Sequence, residues 1–265
     1  GIYKLALELG VEFHFDTNVL SIPVKDAKTE PVITDKGLFA ADIVVGGADY
    51  HHIDQNLLDK KYSNYSAEYW DKRTMAPSSL IYYLGINKKI DGILHHNLFF
   101  DTDFNEHASE IYDEPKWPIN PLFYVSATSK TDPNVAPEGS ENLFILIPTA
   151  PGLDGDSEEL RNYYLDLVIK RMEDRLGVPI KEHIIYQRSY AHKDFINDYN
   201  SFKGNAYGLA NTLKQTAILK PALKSKKVSN LYYTGQLTVP GPGVPPSLIS
   251  GEVVANEIFK EFPIK

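Results

Sequence analysis

Residues 234–258, TGQLTVPGPGVPPSLISGEVVANEI, crowd glycine and proline between two regular segments. The run before them, Leu231-Tyr232-Tyr233, reads as a short strand. The run after them carries Ile249, Val253 and Ile258 at helical spacing, beside small Ser250, Gly251 and Ala255. A rigid strand-to-helix turn of this kind aims backbone N–H groups at whatever lies above the helix, whose start carries roughly half a positive charge. That suits a carbonyl oxygen or a developing anion. A stiff connection with no ligand accounts for the same residues, and from the residues alone both readings stand. Gly241-Pro242-Gly243 ahead of a helix imitates the first half of a dinucleotide-binding fingerprint, but the third glycine is missing and no further strand completes a βαβ unit.

Other chemistries find less support. His51-His52 and His95-His96 are adjacent pairs, and neighbours in a strand face opposite ways, so neither pair chelates one metal; no metal site is expected. There is no G-x-S-x-G elbow, P-loop or H-E-x-x-H. Glu68 and Asp71 read as solvated acids. The absence of cysteine excludes disulfides, thiolate nucleophiles and cysteine-ligated zinc. A net charge of −8 argues against general nucleic-acid binding. The 17 tyrosines and 12 phenylalanines suit the lining of an apolar tunnel, and suit ordinary sheet packing equally well.

The elements that must position these residues fall into two textures. With 265 residues and 43% hydrophobic composition, the chain can bury a substantial core. Ile2–Leu9 reads as a helix stopped by Gly10, so the chain opens inside a helical pattern, as a cut through a longer protein would. VEFHFDTNVLSIPV follows as one or two strands, then a hairpin turning at Asp35-Lys36-Gly37. Ile43-Val44-Val45 reads as a strand buried on both faces, and Gly46-Gly47 just beyond it allow a close approach. From Tyr50 to about Tyr190, SSLIYYLGI, HHNLFF, PLFYVSATS and ENLFILIPTA read as strands of a second, sheet-based domain. Its helix is capped by Asp156 or Ser157 and ended by Gly177, with an apolar stripe of Leu160, Tyr164, Leu167, Val168, Met172 and Leu176. NSFKGNAYGLANTLKQTAILKP then reads as a helical run among glycine and proline breaks. No apolar run approaches the roughly 20 residues needed to span a bilayer.

In order and spacing these pieces resemble the bacterial carotenoid desaturases of the phytoene desaturase type, flavoproteins related to the amine oxidases. LALELGVEFHFDTNVLSI, AADIVVGGADYHH, HHNLFFDTDF, SATSKTDPNVAPEGSENLFILIP and NLYYTGQLTVPGPGVPPSLISGEVVANEI carry the resemblance through nearly the whole chain. It implies an α/β plus α+β chain: an incomplete, Rossmann-like FAD-binding domain built from both ends (1–51 and 193–265), with an inserted mixed-sheet substrate domain (52–192). It implies FAD as cofactor, a long-chain carotenoid such as phytoene as substrate, and desaturation as the reaction. Saturase, isomerase or oxygenase chemistry on the same fold, or plain carotenoid binding, are the alternatives. Gly235, Pro240, Gly241, Gly243, Val244 and Pro245 would form the flavin-facing turn, and Gln236 would lie near the ribityl chain. Val19 would offer its backbone to the adenine, and Ala48 and Asp49 would approach from the returning strand. Val239 stands where many relatives have His, and Pro246 where Gly is frequent, which bears on the substrate accepted. The G-x-G-x-x-G segment that holds the diphosphate in this family is missing, so the expectation is a chain that binds FAD weakly or not at all and is inactive alone. A cytoplasmic protein attached peripherally to a membrane surface is expected, because carotenoids dissolve in bilayers. No catalytic acid or base is assigned.

Overall fold

In chain order, the computed structural model, which describes residues 1–263, contains α1 (Ile2–Glu8), β1 (Val19–Ser21), β2 (Val24–Lys25), β3 (Lys28–Thr29), β4 (Val32–Thr34), β5 (Gly37–Phe39), β6 (Val44–Gly46), α2 (Tyr50–His52), α3 (Ala67–Asp71), β7 (Ser78–Ile86), β8 (His96–Phe99), α4 (Phe104–Tyr112), β9 (Phe123–Ser126), β10 (Glu141–Thr149), α5 (Glu158–Leu176), β11 (Ile184–Tyr190), α6 (His192–Tyr199), β12 (Leu231–Tyr233) and α7 (Val244–Glu261).

The aromatic runs build one sheet, ordered β11-β7-β10-β9-β8. Along β10, Leu143, Ile145 and Ile147 are buried, and they pair with Leu84, Tyr82 and Leu80 of β7. That face packs on α5, whose buried Tyr164, Leu165, Val168, Ile169 and Met172 recur at helical spacing. Ser157 Oγ caps the helix by accepting from the Leu160 amide at 3.2 Å, and Gly177 ends it in the left-handed conformation (φ 70°). The intervening residues Phe144 and Leu146, with Ile81, Tyr83, Tyr124 and Leu98 across the ladders, lie on the opposite face and are half-buried to exposed. Every pairing in this sheet is antiparallel, in place of the mixed sheet expected.

A second core draws on residues far apart in the chain. Ile22, Tyr50, Ile53 and Trp70 pack with Leu209, Val228, Leu231 and Tyr233. Here β6 and β12 pair in parallel, Val44 opposite Leu231 and Gly46 opposite Tyr233. The Tyr50 and Tyr233 rings stack at 3.8 Å. A Cβ on Gly46 would meet Ile53 Cδ1 at 2.6 Å, so this glycine serves close packing inside the strand. Asp54, fully buried, accepts from the Asn64 and Tyr65 amides and from Trp70 Nε1, tying 53–70 into this core.

Four segments differ from expectation. Val11–Phe15 is not a strand: among the described residues it has no ladder partner, and pairing begins only at Val19, opposite Thr34. Val45 is 45% exposed, so β6 is covered on one face only. His51 and His52 lie in α2, not in a strand. Residues 205–220 form no α-helix, because tertiary bonds take the helical ones' place. The Ala76 amide donates to Gly208 O (2.8 Å), the Ala210 amide to Thr74 O (3.0 Å), and Gln215 reaches back to Thr74. The hairpin does turn at Asp35-Lys36, with Thr34 opposite Gly37.

The two faces of the sheet predict opposite mutational costs. Ile145→Ala should lower stability by about 2–5 kcal/mol, read from the denaturant midpoint at unchanged slope. Leu98→Ala, on the open face, should stay within about 0.5 kcal/mol. Equal losses at the two sites would contradict the one-sided core.

Candidate functional site

A groove of about 640 Å³ opens at the carboxyl ends of β6 and β12, the end at which open α/β sheets bind ligands. Gly47, Ala48 and Asp49 leave β6 along one wall, Thr234, Gly235 and Gln236 leave β12 along another, and Phe195, Asp198 and Tyr199 of α6 close the third.

Hydroxyl groups set the β12 turn. Ser250, buried in α7, donates to Ser247 O (2.8 Å), so its oxygen is left to accept from the Gly235 amide (2.8 Å) and from Thr234 Oγ1 (2.6 Å). Thr238 closes the turn by donating both its amide and its hydroxyl to Gly235 O. Gly235 sits at φ 101°, a conformation that only glycine adopts without strain. On the far side the Gly208 amide donates to Asn205 Oδ1 (2.6 Å), and a Cβ on Gly208 would strike Gln236 O at 2.9 Å.

Asp49 organises the opposite wall. Its Oδ1 accepts from the His52 amide (3.1 Å), capping α2, and its Oδ2 accepts from the Phe202 amide (3.2 Å). Burial outweighs these bonds and pushes the carboxyl up to about 6. His51 stacks on Phe202 at 3.9 Å, and burial lowers its imidazole to about 4, so it is neutral at neutral pH. Tyr190, at the end of β11, donates to Asp198 Oδ2 (2.8 Å). It lies on the open face of the large sheet, opposite Ile81, so that face runs up to the groove.

Of the residues singled out from sequence, Ala48, Asp49, Gly235 and Gln236 come together in the groove. Val19 lies in β1 against the second core. Pro240, Gly241, Gly243, Val244 and Pro245 are not among the residues lining the groove; they form the approach to α7 and its first turn. That turn is a poorer donor than a helix start usually is. Pro245 and Pro246 have no N–H, which leaves the Gly243 and Val244 amides of the usual four. The α7 stripe is also rotated: Ser250 and Val254 are buried and Ile249 is exposed. Sequence reasoning missed Asn205, Asp198 and Tyr190. The only available signal was their place beside glycines and aromatics after the inserted sheet.

The groove suits part of the flavin that the resemblance implies. The Ala48 and Gln236 amides take no partner among the described residues, and Gly235 leaves open the space a side chain would fill. Those features match an uncharged ring edge or a polyol. Among the described residues its lining holds two carboxylates and no lysine or arginine, so it does not match a diphosphate.

The folded-state carboxyl of Asp49 keeps its proton up to about pH 6, whereas the unfolded chain releases it near 3.8. Its stabilising contribution is therefore complete below about pH 4 and is lost as pH rises through 6. Asp49→Asn should gain about 3 kcal/mol relative to the unaltered protein between pH 4 and 7, measured by urea unfolding at each pH. A stability difference that stays constant over that range would count against the assignment.

No protein-family model matches the chain. Among curated proteins it is 40% identical, over 98% of its length, to a carotenoid 3,4-desaturase of Haloarcula japonica, of which it covers 52%. It is 32% identical to a zeta-carotene-forming phytoene desaturase of Myxococcus xanthus, over 97% of its length and 50% of that protein's. Its fold matches that of an oxidoreductase from Methanosarcina mazei with a TM-score of 0.60 at 13% identity, over 96% of this chain and 52% of that one. The chain is thus homologous over nearly all its length to carotenoid and phytoene desaturases, and it spans about half the length of these relatives.

Proposed function

We propose that this chain carries the substrate sheet and the ring-facing wall of an FAD-dependent carotenoid desaturase. One observation supports this most directly: an open sheet face of apolar and aromatic side chains runs up to a glycine-walled groove at the ends of a parallel strand pair. Tyr83 and Tyr124 set their rings around Phe144 at 5.5 and 6.3 Å. Such a face binds a hydrocarbon by area and shape and asks for no polar handle. The relatives are named as desaturases of carotenoids and phytoene, which supports a carotenoid as the substrate class.

The two cores support the expected organisation into ends (1–51, 193–265) and insertion (52–192), except that Ile53–Met75 packs with the ends. FAD, when bound, supplies the two-electron acceptor that no side chain provides for C–C desaturation. Ala48, Asp49, Gly235 and Gln236 would hold its uncharged part. Val19 and the Pro240–Pro245 turn are assigned to it through the resemblance. Tyr190 fixes Asp198 at the junction of groove and sheet, and the apolar face keeps water from the reacting carbons. With no cation among its lining, the groove holds FAD weakly by itself.

The matching half of the Haloarcula japonica enzyme can be replaced by this chain and the product carotenoids separated by chromatography. The chimera should retain flavin through gel filtration and lengthen the polyene, while this chain alone retains less than stoichiometric flavin. A folded, flavin-bound chimera that yields oxygenated or saturated products, or none, would refute the desaturase reading.

No helix among the described residues is long and apolar enough to cross a membrane. We also propose peripheral attachment to a membrane, supported by Leu213 and Ile218, which are 91% and 95% exposed on one loop. The protein should float with liposomes, and Leu213→Asp with Ile218→Asp should release it. Sedimentation of the unaltered protein away from lipid would overturn this.

A further inference from the structure

Asn205 lines the groove yet is only 1% exposed, and its side chain is bonded toward both walls. Its Nδ2 donates to Phe202 O at 2.7 Å, and the Phe202 amide donates in turn to Asp49 Oδ2. Its Oδ1 accepts from the Gly208 amide at 2.6 Å and from Gln236 Nε2 at 3.4 Å. These partners admit one orientation of the Asn205 carboxamide. A backbone carbonyl must meet its NH2 group, and a backbone N–H must meet its oxygen.

That orientation passes to Gln236. Facing Asn205 Oδ1, the Gln236 carboxamide must present its NH2 group, because the reverse would set two oxygens against each other. Its Oε1 is thereby left to other partners, and it takes none among the described residues. Gln236 is half-buried and lines the groove. Gly208 permits the approach of the two segments. It sits at φ 71°, and a Cβ there would meet Gln236 Cγ at 3.2 Å as well as the carbonyl oxygen.

We infer that Asn205 is a positioning residue that holds Gln236 Oε1 as a hydrogen-bond acceptor for the uncharged part of the bound ligand. This rests on the flavin reading above and adds the polarity of one contact. The ligand must bring a donor, either the imide N–H of a flavin ring or a hydroxyl of its polyol. Asn205 touches the ligand only through Gln236, and through Phe202 it fixes the Asp49 wall at the same time.

The test is riboflavin binding to this chain, followed by quenching of flavin fluorescence. Gln236→Met keeps the length of the side chain and removes the acceptor, and it should raise Kd about tenfold. Asn205→Ala should raise it by a similar factor, and the double variant no further than Gln236→Met alone. A role in folding only would give losses that multiply, and that result would overturn the positioning role. 3-Methylriboflavin lacks the imide N–H, and lumiflavin lacks the polyol. The analogue without the donor should bind the unaltered protein about tenfold more weakly than riboflavin, and Gln236→Met no more weakly. Gln236 is not in a core, so the Met variant answers the question even if Asn205→Ala fails to fold. Riboflavin bound equally by the unaltered protein and Gln236→Met, or both analogues bound as tightly as riboflavin, would overturn this inference alone. An unaltered protein that binds no riboflavin would overturn the flavin reading and this inference with it.

Discussion

The parallel pairing of Val44–Gly46 with Leu231–Tyr233 joins segments separated by the whole inserted sheet, and the groove exists only because they meet. Closing so long a loop costs about 5 kcal/mol in chain entropy. Three hydrogen-bonded residues on each side cannot offset that alone, since each bond contributes about 1 kcal/mol net. The side chains behind the pair do so. Leu231, Tyr233, Tyr50, Ile53 and Trp70 are buried in one cluster, each contributing about 1.5–3 kcal/mol, and the Tyr50–Tyr233 stack adds to this. The site is thus held by aromatic packing beneath it, and its own walls are free to be glycine, amide and hydroxyl.

The same division of labour explains the two faces of the large sheet. One face is committed to α5 and carries the stability of the inserted part. The other keeps Tyr83, Phe144 and Tyr124 in contact with one another but leaves them accessible. A surface that binds a hydrocarbon must be apolar, and an apolar surface left open must rest on something rigid. The nine-residue strands β7 and β10, paired along their full length, supply that rigidity.

Much of this was legible in the residues. The lengths of SSLIYYLGI and ENLFILIPTA mark strands, and β7 and β10 occupy those runs. Ser157 and Gly177 bound α5 for reasons local to their own side chains. Segments whose conformation depends on distant partners were not legible. Residues 205–220 look helical until Thr74 and Ala76 take their hydrogen bonds, and Val11–Phe15 looks like a strand although none of the described residues pairs with it. The two prolines in the first turn of α7 were in plain sight. Their cost in amide donors follows from covalent structure alone, and it weakens the reading of that helix start as the main anion-stabilising device.

By itself the sequence determined the local elements, the glycine turn after β12 and the kinship with carotenoid desaturases, because caps, apolar runs and glycine positions act within a few residues of themselves. Only the tertiary structure decided which turn residues face the groove and that Asp49 keeps its proton to about pH 6. Those properties arise from burial and from long-range hydrogen bonds, and neither is a function of nearest neighbours in the chain.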